Sequence, residues 1–179
     1  MIAILLADGF EEIEALMPLD ILRRAGLDVK TVGVNSKIAV GSHAIPVITD
    51  LSPSEVRLDE VSMVIFPGGM PGSLNLDSCP FTDEIIAAVR KNGGHIAAIC
   101  AAPLILGRRN LLSGIEAICY PGFEKELFGA KISASPVVTD KGITTAKGMG
   151  VALEFAKELV RIVCGQSKAD EIAQAIMEK

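Results

Sequence analysis

Short apolar runs recur along the chain and alternate with stretches whose apolar positions have helical spacing. Ile2–Ala7 reads as a buried strand ended by Asp8-Gly9. From Glu11 to Ala25 the pattern turns helical, with Ile13, Leu16, Met17 and Ile21 on one face. Acidic residues fill the first turn and Arg23-Arg24 the last, as the helix dipole favours. Gly26 follows as a C-terminal cap, and Pro18 predicts a bend. Asp28–Val34 reads as a strand, and Lys37–Val40 with Ala44–Thr49 as a small hairpin across Gly41-Ser42. Ser62–Phe66 is a further buried strand, stopped by Pro67-Gly68-Gly69. Thr82–Lys91 predicts a helix, His95–Ile99 a strand running into Cys100, and Pro103–Arg109 another helix. Val137–Asp140 and Ile143–Ala146 pair as a hairpin over Lys141-Gly142, and Gly150–Cys164 and Lys168–Met177 are closing helices.

The strands are apolar throughout rather than alternating. That pattern belongs to a parallel sheet covered by helices on both faces, an α/β domain. No linker, repeat or low-complexity segment interrupts it, so residues 1–179 are expected to form one domain. Ligands of such sheets bind beyond the carboxyl ends of the strands. Three loops leave those ends: Asp8–Glu14, Pro67–Gly72 and Cys100–Pro103.

Composition narrows the function. Half the residues are apolar, with one Tyr and no Trp, so the core is aliphatic. The net charge of −5 and the lack of a Lys/Arg cluster argue against a nucleic-acid groove. A mean hydropathy of +0.44 invites a membrane reading. The apolar runs are nevertheless broken by Gly and Pro, well short of the roughly 20 residues a spanning helix needs. MIAILLAD has no basic leader, so the expectation is a cytoplasmic protein. Cys79, Cys100, Cys119 and Cys164 form no CxxC pair and only two histidines are present, so neither a metal site nor a structural disulfide is expected.

Cys100 stands out among these thiols. It follows the strand HIAAI and precedes AAP at the start of a helix. Free backbone N–H groups at that junction are expected to favour the thiolate and lower its pKa. The strand-turn-helix elbow is the arrangement by which hydrolases lift a nucleophilic serine out of a sheet. The alternative is a small buried residue at a strand end. Gly68-Gly69 frees backbone to approach a ligand, and with the N–H of Ala101 it can cradle an oxyanion. The alternative there is a plain tight turn; no GxxxxGK or GxGxxG phosphate loop is present. Glu11 and Glu12 read as helix-dipole complements, whereas Glu14 shares a face with Ile21 and, more loosely, Met17 and Pro18. Turned inward beside a thiol, its carboxyl is expected to have a raised pKa and to share the thiol proton.

LLADGFEEIEA, VIFPGGMPG and AAICAAP, in this order and spacing, resemble the ThiJ/PfpI superfamily, and LDILRRAG and KGMGVALEFA extend the likeness over nearly the whole chain. The branch it resembles is that of the parkinsonism-associated protein deglycase and the bacterial YajL protein. The resemblance implies a flavodoxin-like sandwich, a homodimer and no cofactor. It implies Cys100 as nucleophile, Glu14 as its acidic partner, Gly69 and Ala101 as oxyanion donors, and Gly68 and Arg24 near the pocket. In one respect the chain departs from the pattern. Tyr120 stands where the deglycase branch has a histidine, and Ala101 where peptidase relatives have theirs. His95 is one end of a strand away from Cys100, about 16 Å. His43 sits in the hairpin, where relatives place an arginine that reaches the partner subunit's pocket; the alternative is an exposed turn histidine.

The expected function is therefore a cysteine-dependent reaction on reactive carbonyls, such as methylglyoxal and glyoxal, or on their early adducts with amines and thiols. It would release lactate or glycolate without a cofactor, in deglycase- or glyoxalase-like chemistry. The second expectation, of another class, is a redox sensor or stress-linked chaperone acting through oxidation of Cys100 to the sulfinate. Peptidase activity is disfavoured because the nucleophile has no adjacent imidazole.

Overall fold

The computed structural model describes residues 1–178. Its central sheet has six strands, in the order Val29–Gly33 (β2), Ile2–Leu6 (β1), Met63–Phe66 (β5), His95–Ile99 (β6), Ile143–Ala146 (β10) and Val137–Asp140 (β9). The elements run β1 (Ile2–Leu6), α1 (Glu12–Arg24), β2 (Val29–Gly33), β3 (Ile38–Val40), β4 (Pro46–Ile48), β5 (Met63–Phe66), α2 (Gly72–Asp77), α3 (Pro80–Lys91), β6 (His95–Ile99) and α4 (Pro103–Arg108). There follow β7 (Glu116–Ala117), β8 (Lys131–Ile132), β9 (Val137–Asp140), β10 (Ile143–Ala146), α5 (Ala152–Cys164) and α6 (Gln166–Ala175). Every neighbouring pair in the sheet is parallel except β9 with β10 at one edge. This is the flavodoxin-like α/β sandwich that the unbroken apolar strands require.

Alternate side chains of each strand feed two cores. Ala3, Leu5, Val64, Phe66, Ile96 and Ala98 pack on one face, under α3 and α4. Ile2, Ile4, Leu6, Met63, Ile65, Ala97 and Ile99 pack on the other, against α1 and α5. Because both faces are covered, no strand needs a polar face, which is why the sequence shows none.

Several expectations need correction. Helix α1 is rotated from the predicted face: Glu12, Glu14, Ala15, Pro18, Ile21 and Leu22 are buried, while Ile13 is 43% exposed. The helix must lie on the sheet, meet the Gly68 loop and also receive the β3–β4 hairpin, and these demands turn Glu14 toward Gly68 and Glu12 toward the hairpin. The helix continues through Pro18. Helix α2, a six-residue turn after the Gly68-Gly69 loop, has no apolar periodicity long enough to predict it. The β3–β4 turn is wider than expected, closed by the Gly41 N–H donating to Ile45 O. The β9–β10 hairpin is as predicted, with positive φ at both Lys141 and Gly142, the backbone of a tight primed turn. Among the described residues no helix is long and apolar enough to cross a membrane.

Candidate active site

The loops after β1, β5, β6 and β10 meet at the carboxyl ends of those strands. Cys100 sits where β6 turns toward α4, with φ +66, a region that non-glycine residues enter only under constraint. That constraint is visible. The Cys100 N–H donates to Ala146 O at 2.9 Å, and Cys100 O accepts from the Tyr120 N–H at 2.8 Å. The elbow is thus pinned to β10 and to the loop carrying Tyr120.

Glu14 reaches the same point from α1. Glu11 caps that helix by accepting from the Glu14 N–H at 2.7 Å, which fixes the first turn. The Glu14 side chain is fully buried, and its Oε2 accepts from the Gly68 N–H at 2.9 Å. In return Gly68 O accepts from the Glu11 N–H at 2.9 Å. A Cβ at Gly68 would lie 2.5 Å from Glu14 Oε2 and 2.6 Å from Cys100 Cβ, so only glycine lets the three loops close together.

This geometry changes two assignments. The N–H of Gly68 is taken by Glu14, so Gly68 is a spacer between acid and thiol rather than a substrate-binding donor. Gly69 and Ala101 are different. Their N–H groups interact with the Cys100 sulfur and stabilise its anion, and neither amide bonds elsewhere among the described residues. They are the two amides that the family resemblance implies as oxyanion donors.

The expected low thiol pKa is overturned. Cys100 is pushed up to about 12, first by burial and then by the charge and hydrogen bond of Glu14, against the smaller pull of the Ala101 and Gly69 amides. The reason is that α4 has only six residues and a buried carboxylate stands beside the sulfur. Glu14 is raised from 4.5 to about 7, mainly by burial. The charge of Glu11 adds to that rise, while Cys100, Gly68 and the Met149 backbone pull the other way. Glu14 Oε1 is buried and makes no hydrogen bond of ordinary geometry. Thiol and carboxyl are thus coupled: each is raised by burial, and the charge of Glu14 holds the proton on the sulfur.

Beside the sulfur, across Gly148, lies a groove of about 350 Å³ lined by Tyr120, Pro121, Lys147, Gly148 and Met149. A Cβ at Gly148 would lie 3.4 Å from the Tyr120 ring and 3.9 Å from both Cys100 Sγ and Glu14 Oε1. Tyr120 therefore borders the site, with half its surface exposed. Arg24 does not join it in the same chain. It pairs with Asp20 at 2.6 Å, ten residues along α1 from Glu14, about 15 Å by helical rise. His43 is held at the hairpin, its Nδ1 2.9 Å from Glu12 Oε2. His95 lies at the opposite end of β6, bonded to Thr144 Oγ1 at 2.8 Å.

Glu12 is a residue that sequence reasoning missed. Read as a dipole complement, it is instead buried and bonded to His43 through both the backbone N–H, at 2.7 Å, and the ring. It anchors the hairpin over the start of α1. The signal available was Gly41, whose Cβ would collide with the Glu12 carboxyl. The Gly148–Met149 backbone was also missed as a wall of the site.

Residues 1–162 match the DJ-1/PfpI family. The chain belongs to that family. It is 33% identical over 177 residues to protein dj-1beta of Drosophila melanogaster, covering 97% of this chain and 95% of the relative. It is 32% identical to the glutathione-independent glyoxalase of Caenorhabditis elegans, covering 93% and 89%. Among solved structures, a DJ-1 superfamily protein from Salmonella typhimurium superposes with a TM-score of 0.93 at 35% identity, covering 99% and 98%. An oxidized Toxoplasma gondii DJ-1 gives 0.93 at 30%, covering 98% and 97%.

Proposed function

We propose that this DJ-1/PfpI protein has a stress-protective role and acts through Cys100 on small reactive carbonyls or their early glycation adducts. The observation that carries the reading is the convergence on one sulfur of a buried carboxyl with pKa near neutrality and two backbone amides, beside an open groove. The glyoxalase among its relatives performs its reaction without glutathione, by its name, which is consistent with a protein thiol serving as nucleophile.

With methylglyoxal the steps balance without a cofactor. The sulfur adds to the aldehyde carbon as the thiol proton passes to Glu14. The alkoxide lies against the Gly69 and Ala101 amides and takes that proton back from Glu14, giving a hemithioacetal and restoring the carboxylate. Glu14 then removes the proton from that carbon and returns it to the neighbouring carbon, while the hydroxyl proton shifts to the neighbouring oxygen, which leaves a thioester. Water cleaves the thioester to lactate and regenerates the thiol. Tyr120 and Lys147 border the incoming carbonyl compound. A homodimer would let His43 reach the partner's groove, and the exposed Ile13 with the half-buried Met17 on α1 would supply a self-complementary apolar face for it.

Release of lactate from methylglyoxal by the wild type and by Cys100→Ser tests the proposal. The serine variant should lose the reaction; equal rates, or none in either, would sink it.

The second reading is sensing through oxidation of the same thiol, and a solved relative is described as oxidized. Mass spectrometry after mild peroxide distinguishes it: two oxygens added selectively at Cys100, with the exposed Cys164 spared, supports the sensor. Indiscriminate oxidation counts against it.

A further inference from the structure

A cavity of about 510 Å³ lies at the end of the sheet opposite Cys100, where β6 and β10 begin. Arg90, Asn110, Ser113 and Lys141 line it. Among the described residues none of these four side chains makes a hydrogen bond or an ion pair, and no carboxylate lines the cavity. Asp140 accepts from the Glu116 N–H at 3.0 Å, and Asp77 and Asp83 are held by Arg109. Arg109 also borders the cavity, its charge balanced by those two acids. The floor is apolar, formed by Ile96, Ile115 and Ile143.

We propose that this cavity binds a small organic phosphate through Arg90, Lys141, Asn110 and Ser113, with the organic part on the Ile96, Ile115 and Ile143 floor. Two uncompensated cations match a dianion better than a monocarboxylate. A guanidinium and an ammonium together with an amide and a hydroxyl supply enough donors for the three phosphate oxygens. The volume falls within the range of about 300–1,000 Å³ usual for small-molecule sites. Five strand residues, about 16 Å, separate it from the sulfur, so it is a second site and not an extension of the groove at Tyr120.

The test uses the full chain labelled with nitrogen-15 and three probes: phenyl phosphate, inorganic phosphate and phenol. Phenyl phosphate should give saturable amide shifts confined to residues around Arg90, Gly94, Asn110 and Gly142, with Kd below about 1 mM. Inorganic phosphate should bind the same residues more weakly, because it leaves the apolar floor uncovered. The double variant Arg90→Gln/Lys141→Gln should weaken phenyl phosphate by at least about tenfold, the loss expected for removing two charged donors. Both side chains are exposed, and an unchanged thermal midpoint checks that the variant folds. Cys100→Ser should bind as the wild type does, so failure of the carbonyl reaction leaves this proposal standing. Non-saturable shifts spread over surface lysines, unchanged affinity in the double variant, or phenol binding as tightly as phenyl phosphate would each overturn it.

Discussion

Replacing Glu14 by Gln separates the charge of this buried group from its shape. The carboxyl titrates at about 7 instead of 4.5, chiefly because burial penalises the anion. Between those values the native state binds more protons than the unfolded state, so stability falls as pH rises through the window. At about 1.4 kcal/mol for each tenfold change, the burden above neutrality is on the order of 3 kcal/mol. Gln does not titrate, and its side-chain oxygen can still accept from Gly68. Urea unfolding of wild type and Glu14→Gln at about pH 4 and about pH 8 should therefore show the variant gaining about 3 kcal/mol relative to wild type between the two. Repeating the pair in a Cys100→Ser background removes the thiol titration and should leave that gain in place. A difference that stays constant with pH would refute the reasoning, because the carboxyl would then ionise alike in both states. The chemistry should move in two directions at once. Losing the neighbouring charge lowers the Cys100 pKa, so alkylation by iodoacetamide near neutrality quickens. Lactate formation should meanwhile drop by about 10²–10⁴-fold, since the proton carrier is gone. A parallel fall in both rates would contradict the assigned role.

Gly68→Ala places a methyl 2.5 Å from Glu14 Oε2 and 2.6 Å from Cys100 Cβ, and should cost about 1–3 kcal/mol in urea unfolding while suppressing activity. Gly148→Val should slow Cys100 alkylation more than about tenfold, because the new side chain starts 3.9 Å from the sulfur, and should also lower the urea midpoint, because φ +159 at this position favours glycine. His43 should titrate above its usual 6.5 by NMR, since the Glu12 carboxylate favours its charged form, and should return toward that value in Glu12→Gln. Its contribution to stability is then present at low pH and is lost as pH rises through the folded-state pKa. Asp77→Asn should destabilise by about 2 kcal/mol, because Asp77 is the shared partner of Arg108 and Arg109 and ties α2 to α4. An unchanged urea midpoint would show that the tie is solvated.

Much of this molecule was legible locally. Apolar runs marked β1, β5 and β6 because a strand buried on both faces has no polar positions to hide it. Cys100 was legible because the strand-to-helix elbow singled it out and the three motifs of the family resemblance set it against a plain buried residue. Helix α2 was not legible, since six residues carry too little periodicity. Tyr120 was named by its place in the pattern, and its ring indeed borders the Gly148 wall.

The sequence by itself determined the α/β architecture and the loops that carry the chemistry. These follow from periodicity and spacing, which are properties of neighbouring residues; the pairing of Cys100 with Glu14 was implied by the family resemblance. The tertiary structure alone decided which face α1 turns inward, because that depends on the hairpin seated across it. It alone showed that the Gly68 N–H is spent on Glu14 and that Glu12 holds His43. It also reversed the expected direction of the thiol pKa. That direction is a contest between burial, a neighbouring carboxylate and two amides, and their relative strength depends on distances no linear pattern contains.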